Sequence, residues 1–151
     1  MKSAFKVVAI SAEQAIDLRS RILRPGQNLE KCHYAEDNFA TSFHFGIFKG
    51  SRVLCNGTFL QQRCEHFPNA KFSYRLRGMA TDSEFQRQGL GALLLNYAES
   101  YLKEKKCDLL WFNARLSAEI FYQKLGFKQL DHAFEIPTIG LHRVMFKWLS
   151  R

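Results

Sequence analysis

Apolar and polar positions alternate along this chain with two different periods, and the changes of period mark its elements. A strand is predicted over residues 4–10, AFKVVAI. Ser11, with Gln14 three residues later, forms a capping box. Ala15, Leu18, Ile22 and Leu23 continue at helical spacing until Arg24-Pro25-Gly26 stops the helix. A polar, irregular stretch follows to about Thr41, with room for a short second helix. SFHFGIF (42–48) and RVLCNGTFLQQ (52–62) read as strands joined by a turn at Lys49-Gly50-Ser51, with Phe43, Phe45 and Ile47 on one face. After a loop at 66–70, SYRLRGMAT (73–81) is predicted as a strand. Alternation sets Tyr74, Leu76 and Ala80 on one face and Arg75, Arg77, Met79 and Thr81 on the other.

The second half changes period again. Leu90, Leu93, Leu94, Tyr97, Ala98, Tyr101 and Leu102 make one apolar stripe, which predicts a helix to about Lys106. LLWFNA (109–114) is nearly all apolar, as in a strand buried on both faces. Ala118, Phe121, Tyr122 and Leu125 define a short helix closed by Gly126. KQLDHAFEI (128–136) and HRVMFKWL (142–149) complete the pattern, with Val144, Phe146 and Trp148 turned inward in the last. The order β-α-(α)-β-β-β-α-β-α-β-β belongs to the α/β class, with no internal repeat, low-complexity segment or linker. One domain over residues 1–151 is the expectation.

Composition narrows the picture in three ways. The four cysteines, Cys32, Cys55, Cys64 and Cys107, do not form a disulfide framework, and neither Cys32-His33 nor Cys64-Glu65-His66 has zinc-ligand spacing. No metal is expected. The start MKSAFKVVAI looks superficially like a secretion signal, but Lys6 interrupts it and VVAI is too short for a signal core. No run approaches membrane-spanning length, which leaves a reduced cytoplasmic location as the default expectation and argues against a membrane partner. The net charge of +8 suits an anionic partner, whether nucleic acid or a phosphate-rich cofactor. The basic residues are scattered apart from Lys103, Lys105 and Lys106, which suit a helix C-terminus, so nucleic acid is disfavoured.

The candidate chemistry begins with two glycines at the start of a strong helix, in QRQGLGALLL (86–95). Each costs about 1 kcal/mol relative to alanine in a helix interior. A helix N-terminus offers free N–H groups and a positive dipole end to an anion, and glycines let a phosphate approach the main chain. Arg87 adds a positive charge. A dinucleotide fingerprint would need glycine where Leu94 stands, and the P-loop pattern is absent. What is present is Gln86-x-x-Gly89-x-Gly91, which in isolation equally suits a glycine-rich helix cap.

In its setting of strand, glycine-rich helix start, buried strand and FYQKLGF (121–127), the chain resembles the GCN5-related N-acetyltransferase (GNAT) superfamily. The likeness covers nearly the whole element order and is sharpest over Leu76–Phe127. The stretches RILRPG, RGMAT and NARLSAEIFY resemble small bacterial members of unassigned substrate. The resemblance implies the GNAT fold, a mixed central sheet of about seven strands flanked by helices, its fourth and fifth strands splayed. It implies acetyl-CoA as cofactor, its pyrophosphate held by Gln86, Arg87, Gln88, Gly89, Leu90, Gly91 and Ala92. Met79, Ala80 and Thr81 would line the cofactor, with a bulge near Arg77-Gly78. Asn113 would reach the pantetheine amide, though a plain turn asparagine fits as well.

Tyr122 matches the tyrosine that lies beside the thioester sulfur in the family and is the candidate catalytic acid, whereas spacing alone makes it a core aromatic. An unperturbed phenol near about 10 and a thiol near about 8.5 make a modest but usable acid pair. The expected reaction is transfer of an acetyl group to a primary amine of a small molecule or protein by direct attack on the thioester. The general base is not legible. Asn113 stands where some members carry glutamate, and Asp37, His44, Asp82 and Glu84 are the remaining candidates, each also explicable as structural. That departure keeps a second reading open, a non-catalytic module that senses acyl-CoA. Acceptor specificity would come from residues 19–39, where Arg19, Arg21 and Arg24 mix with Glu30, Glu36 and Asp37 around Tyr34 and Phe39. Their charges point both ways and name no substrate. Oligomeric state is equally unspecified, and a homodimer stays open.

Overall fold

A computed structural model describes residues 5–149. Ala4, the first residue of the predicted first strand, and the chain ends at 1–3 and 150–151 lie outside the described residues. Seven strands follow one hydrogen-bonded order, β1-β2-β3-β4-β5-β7-β6. They are β1 (Val7–Ala9), β2 (Phe43–Lys49), β3 (Arg52–Gln61), β4 (Ser73–Thr81), β5 (Leu109–Arg115), β6 (Lys128–Ile136) and β7 (Gly140–Trp148). The helices are α1 (Ala12–Leu18), α2 (Leu90–Glu104) and α3 (Glu119–Lys124). β2 runs antiparallel to β1 and β3, and β7 antiparallel to β5 and β6, while β4 and β5 are parallel. The sheet is therefore mixed, as expected of the GNAT fold. Among the described residues the β4–β5 ladder runs only from Ser73–Leu109 to Arg75–Trp111, although both strands continue. That early parting is the splay the resemblance implies.

The chain forms two compact units. The first holds the residues up to Leu60 together with Leu76–Leu102, and the second Gln61–Arg75 together with the chain from Lys103 onward.

In the first unit the capping box forms as read. The Ser11 hydroxyl accepts from the Gln14 N–H (3.2 Å), and Gln14 Oε1 accepts from the Ser11 N–H (2.8 Å). The predicted helix to Leu23 instead becomes a π-helical turn over Arg19–Leu23, in which the Arg24 N–H reaches Arg19 O five residues back. The short second helix is a 3-10 turn at Leu29–Cys32. One sheet face carries Phe43 stacked on Phe59 (5.0 Å, 11°) and covered by α2, whose Tyr101 and Tyr97 meet Phe43 and Phe45 edge-on. On the other face Asn56 donates to Ala15 O in the middle of α1.

That second face is organised by Arg19, which is 1% exposed. Its guanidinium makes a two-pronged pair with Asp37 (2.8 and 2.9 Å) and donates to Cys32 O (2.8 Å) and Thr58 Oγ1 (2.6 Å). His44 bridges Thr58 Oγ1 (2.7 Å) and Asp37 O (2.9 Å). The neutral tautomer that satisfies both carries its proton on Nε2, since a carbonyl only accepts. Tyr34 lies against two guanidinium groups, Arg19 at 3.9 Å and Arg77 at 3.8 Å from its ring centre.

Gly78 corrects the predicted faces of β4. Its φ of +64° lies in the left-handed region, the conformation that a glycine bulge uses. A Cβ there would come within 2.9 Å of Arg19 Nε and 3.1 Å of the Tyr34 hydroxyl. Past it the alternation resets. Leu76 and Met79 both border the space beside Gly57, and Thr81 donates to Cys55 Sγ (3.4 Å) on that same α2-covered face. Met79 and Thr81 thus share the face of Leu76, where strict alternation opposes them.

In the second unit Asp108 ties the chain together: its carboxylate accepts from the Lys71 (2.7 Å) and Phe72 (3.0 Å) N–H groups, and its carbonyl from Leu149 N–H. One face of β5 and β7 buries Leu109, Trp111 and Val144 with Cys64 and Ala70, against Phe67, Phe146 and Trp148. The opposite face packs Phe112 against Tyr122 and Phe127. Among the described residues no helix is long and apolar enough to cross a membrane.

Three stability measurements test the Arg19 hub. Asp37→Ala leaves a buried guanidinium without its carboxylate and should cost about 3–5 kcal/mol in urea unfolding. Burial pushes the Asp37 carboxyl up, but the Arg19 hydrogen bonds, the Tyr34 N–H and the Arg19 charge outweigh it and hold it below the ordinary carboxylate range. Its stabilisation is therefore complete above the ordinary carboxylate pKa and lost as pH falls through the lowered one, so Asp37→Asn should flatten the acid limb of the stability curve. Gly78→Ala should destabilise by at least about 1–2 kcal/mol, the cost of a left-handed alanine before any clash with Arg19. A Gly78→Ala protein of unchanged melting temperature would refute that account.

Candidate functional site

The segment from Thr81 to Ala92 is built from its base upward. Asp82 is buried, and its N–H donates to Leu54 O (2.7 Å), fastening the end of β4 to β3. Its carboxylate accepts from Arg52 (2.7 Å), Arg21 (3.3 Å) and the Glu84 N–H (3.0 Å), capping a short 3-10 turn at Ser83–Phe85. Burial raises the Asp82 carboxyl, but the Glu84 N–H and the two arginines more than compensate and hold it low. Gln86 then turns extended, and its side-chain amide donates back to Thr81 O (3.2 Å).

Next comes a run of exposed residues, Arg87, Gln88 and Gly89. Arg87 has φ +64° and Gly89 φ +83°, with Gln88 between them on the ordinary negative side. Such alternation turns successive backbone N–H groups toward one side, forming a concavity suited to an anion. Gly89 is required by this conformation and not by crowding, since a Cβ there would meet nothing within 4 Å. α2 starts at Leu90, and its first turn is closed by the Leu93 N–H donating to Gly89 O (3.0 Å). The N–H groups of Leu90, Gly91 and Ala92 precede it and have no carbonyl within the helix to bond. Leu90 and Gly91 are buried and Ala92 half-buried, so the first turn is fixed while the loop before it is open. The left-handed Arg87 had no signal in the sequence, because a non-glycine residue gives no warning of positive φ.

Upstream, Met79 and Thr81 are half-buried and Ala80 is buried. Three of the four base candidates are committed elsewhere. Asp37 and Asp82 are neutralised by arginines, and His44 spends both ring nitrogens on Asp37 O and Thr58. Glu84 remains exposed, 3.7 Å from Arg52. Cys55 is buried, which pushes its thiol up to about 11 despite a hydrogen bond from Thr81, so it is no nucleophile.

In the second unit Tyr122 sits in α3, 8% exposed, its ring 4.4 Å from Phe112 and 5.0 Å from Phe121. The turn that ends α3 is pinned by Gly126 at φ +95° and by Lys147 Nζ donating to Leu125 O (2.8 Å). Asn113 is half-buried on β5 opposite Val144. Because Phe112 and Asn113 are neighbours in one strand, they face opposite ways. Tyr122 packs on the Phe112 face, so the structure does not bring Asn113 and Tyr122 together on one face of β5.

Comparison with known proteins identifies the family. The family model described as "Acetyltransferase (GNAT) domain" matches residues 44–129. The uncharacterized N-acetyltransferase YitI of Bacillus subtilis (strain 168) is 41% identical over 144 residues, 95% of this chain and 96% of that protein. Among solved structures, a putative N-acetyltransferase from Lactobacillus plantarum superposes with a TM-score of 0.78 at 16% identity, covering 97% of this chain and 99% of that one. An aminoglycoside 6'-N-acetyltransferase complexed with coenzyme A superposes with a TM-score of 0.74 at 12% identity, covering 97% and 98%. With its glycine-bearing helix start, its splayed parallel strands and these relatives, the chain belongs to the GNAT family and is an acyltransferase.

Proposed function

We propose that residues 1–151 act as one domain that transfers the acetyl group of acetyl-CoA to a primary amine. The observation that carries this reading is the alternating backbone of Arg87–Gly89 leading into the free N–H groups of Leu90, Gly91 and Ala92. That set offers several donors and a helix dipole to a diphosphate, with the Arg87 side chain in solvent beside it. The fold relative that holds coenzyme A supports the choice of cofactor. All four cysteines are buried and free, which suits a reducing, cytoplasmic setting.

In this reading Gln86–Ala92 take the pyrophosphate, Met79–Thr81 line the pantetheine with their main chain, and Asn113 takes a pantetheine amide. The acceptor nitrogen attacks the thioester carbonyl, giving a tetrahedral oxyanion that backbone N–H groups of β4 stabilise. The C–S bond then breaks, the sulfur leaves as thiolate and takes a proton from Tyr122, and the nitrogen gives its extra proton to water. Tyr122 recovers its proton from solvent. Water serves as the base in this reading, since Asp37, His44 and Asp82 are already engaged and Glu84 is exposed with Arg52 3.7 Å away. Much of the remaining acceleration comes from holding both reactants in place.

Calorimetry with acetyl-CoA tests the cradle. Gly89→Asp has room for its side chain and places a negative charge among the phosphate donors, so acetyl-CoA affinity should fall at least about a hundredfold. An unaltered affinity in a folded variant rejects the cradle. Tyr122→Phe tests the acid, and its kcat should fall about 10²–10⁴-fold while acetyl-CoA affinity stays within about twofold. Equal turnover by the phenylalanine variant removes Tyr122 from that role.

A further inference from the structure

We infer that a cavity in the second unit, beside an irregularity in β6, is the acceptor pocket, and that it takes a primary amine with an apolar body and a second cationic group at its far end, as in an α,ω-diamine. This rests on the acetyl-transfer reading above and names its substrate class. Gln129 pairs with Met145 and Ala133 with Arg143, so the three residues 130–132 stand against Val144 alone. Such a bulge re-aims side chains, and all four of these residues line one cavity of about 840 Å³. Small-molecule sites span roughly 300–1,000 Å³.

The cavity is graded in polarity. Its floor is Trp111 and Val144, each 7% exposed, flanked by half-buried Leu130 and Phe134. The Trp111 ring is fixed by its Nε1–H donating to Gln62 O (2.9 Å). Such a floor suits an alkyl or aryl body. The rim carries two exposed carboxylates, Glu65 and Asp131. Arg63, also at the rim, donates to Pro68 O (3.2 Å) within its own loop, and His66 lies 3.8 Å from Glu65. With Arg63 counted, the lining keeps a formal charge of −1 on a chain of net charge +8, and because the Arg75 guanidinium already lies 5.1 Å from the Trp111 ring centre, attraction for a cation is confined to the two carboxylates. Asn113, two residues past Trp111 on β5, belongs to the same wall. Since the transfer reading puts Asn113 on the pantetheine, the reacting amine lies at that wall and its distal ammonium at the carboxylates.

The test combines two titrations and one kinetic series on the intact protein. Acetyl-CoA uptake is measured by calorimetry. Initial rates of CoA thiol release are measured with butylamine, 1,4-diaminobutane and β-alanine. Binding of 1,4-diaminobutane is also titrated without acetyl-CoA. The diamine should exceed butylamine in kcat/KM by about fivefold, the scale of two exposed ion pairs, with β-alanine the poorest. In Glu65→Gln/Asp131→Asn that ratio should collapse toward one, mainly through KM. Turnover without preference for the diamine, or a ratio indifferent to the double substitution, overturns the pocket while acetyl transfer stands. Diamine binding that the double substitution abolishes, in a protein that takes up no acetyl-CoA, upholds the cation site and rejects the transfer reading. Absence of both diamine binding and diamine preference overturns the inference.

Discussion

A guanidinium with almost no solvent contact is the constraint on which the first unit turns. Arg19 reaches the backbone of the 3-10 turn at Cys32, the carboxylate of Asp37 and the hydroxyl of Thr58, and its plane rests on Tyr34. Desolvating an arginine is costly, and the acceptors on Nη1 and Nη2 offset that cost while the buried Nε–H has no partner among the described residues. The π-helical turn supplies the position, since Arg19 opens it at the end of α1. The same side chain dictates what can stand at 78. A residue larger than glycine would meet Arg19 Nε, and the left-handed conformation there excludes most others independently. Gly78 in turn resets the facing of Met79 and Thr81, so a charge buried on one side of β4 decides which side chains reach the other.

The helix start works by conformation more than by composition. Two glycines suggested open access for a phosphate, yet they do different things. Gly89 holds a positive φ in open space, whereas Gly91 is buried inside the first turn. Arg87 shares the unusual φ without being glycine, which costs stability and is a form of strain found where function depends on main-chain direction. Asp82 makes this affordable. Anchored to Leu54 O, Arg52 and the Glu84 N–H, it fixes the residue from which the irregular loop departs.

Legibility followed the reach of the forces involved. The capping box at Ser11 and Gln14, the span of β4 and the span of β6 were readable because they rest on local pattern. The π-helical turn was not, since its apolar spacing over Ile22 and Leu23 matches that of an α-helix. Arg19 read only as one of the mixed charges of residues 19–39, because its acceptors lie 13, 18 and 39 positions away. The predicted faces of β4 failed at one residue, where a long-range packing demand overrode alternation. In the segment proposed to hold the pyrophosphate, residue types singled out Gln86, Gly89 and Gly91, while the backbone turn at Arg87 carried no sequence signal. The irregularity in β6 stayed hidden because KQLDHAFEI has good strand composition, and the mismatch shows only against β7.

Net charge, too, changes meaning once partners are known. Much of the acidic complement is spent on arginines: Asp17 and Asp82 on Arg21, Asp82 again on Arg52, Asp37 on Arg19, and Glu119 on Arg143 (3.5 Å). Asp108 is spent on backbone N–H groups. Among the described residues Asp131 has no cationic partner within ion-pair distance. Those pairs leave the other exposed basic residues, Arg87 among them, to set a long-range field that favours anions. A carboxylate left outside such pairs is then conspicuous by its surroundings. At the β6 irregularity Asp131 lines one cavity with Trp111 and Phe134, where Arg75 already lies 5.1 Å from the Trp111 ring centre, and a carboxylate beside apolar rings suits a cation with an apolar stem better than a phosphate.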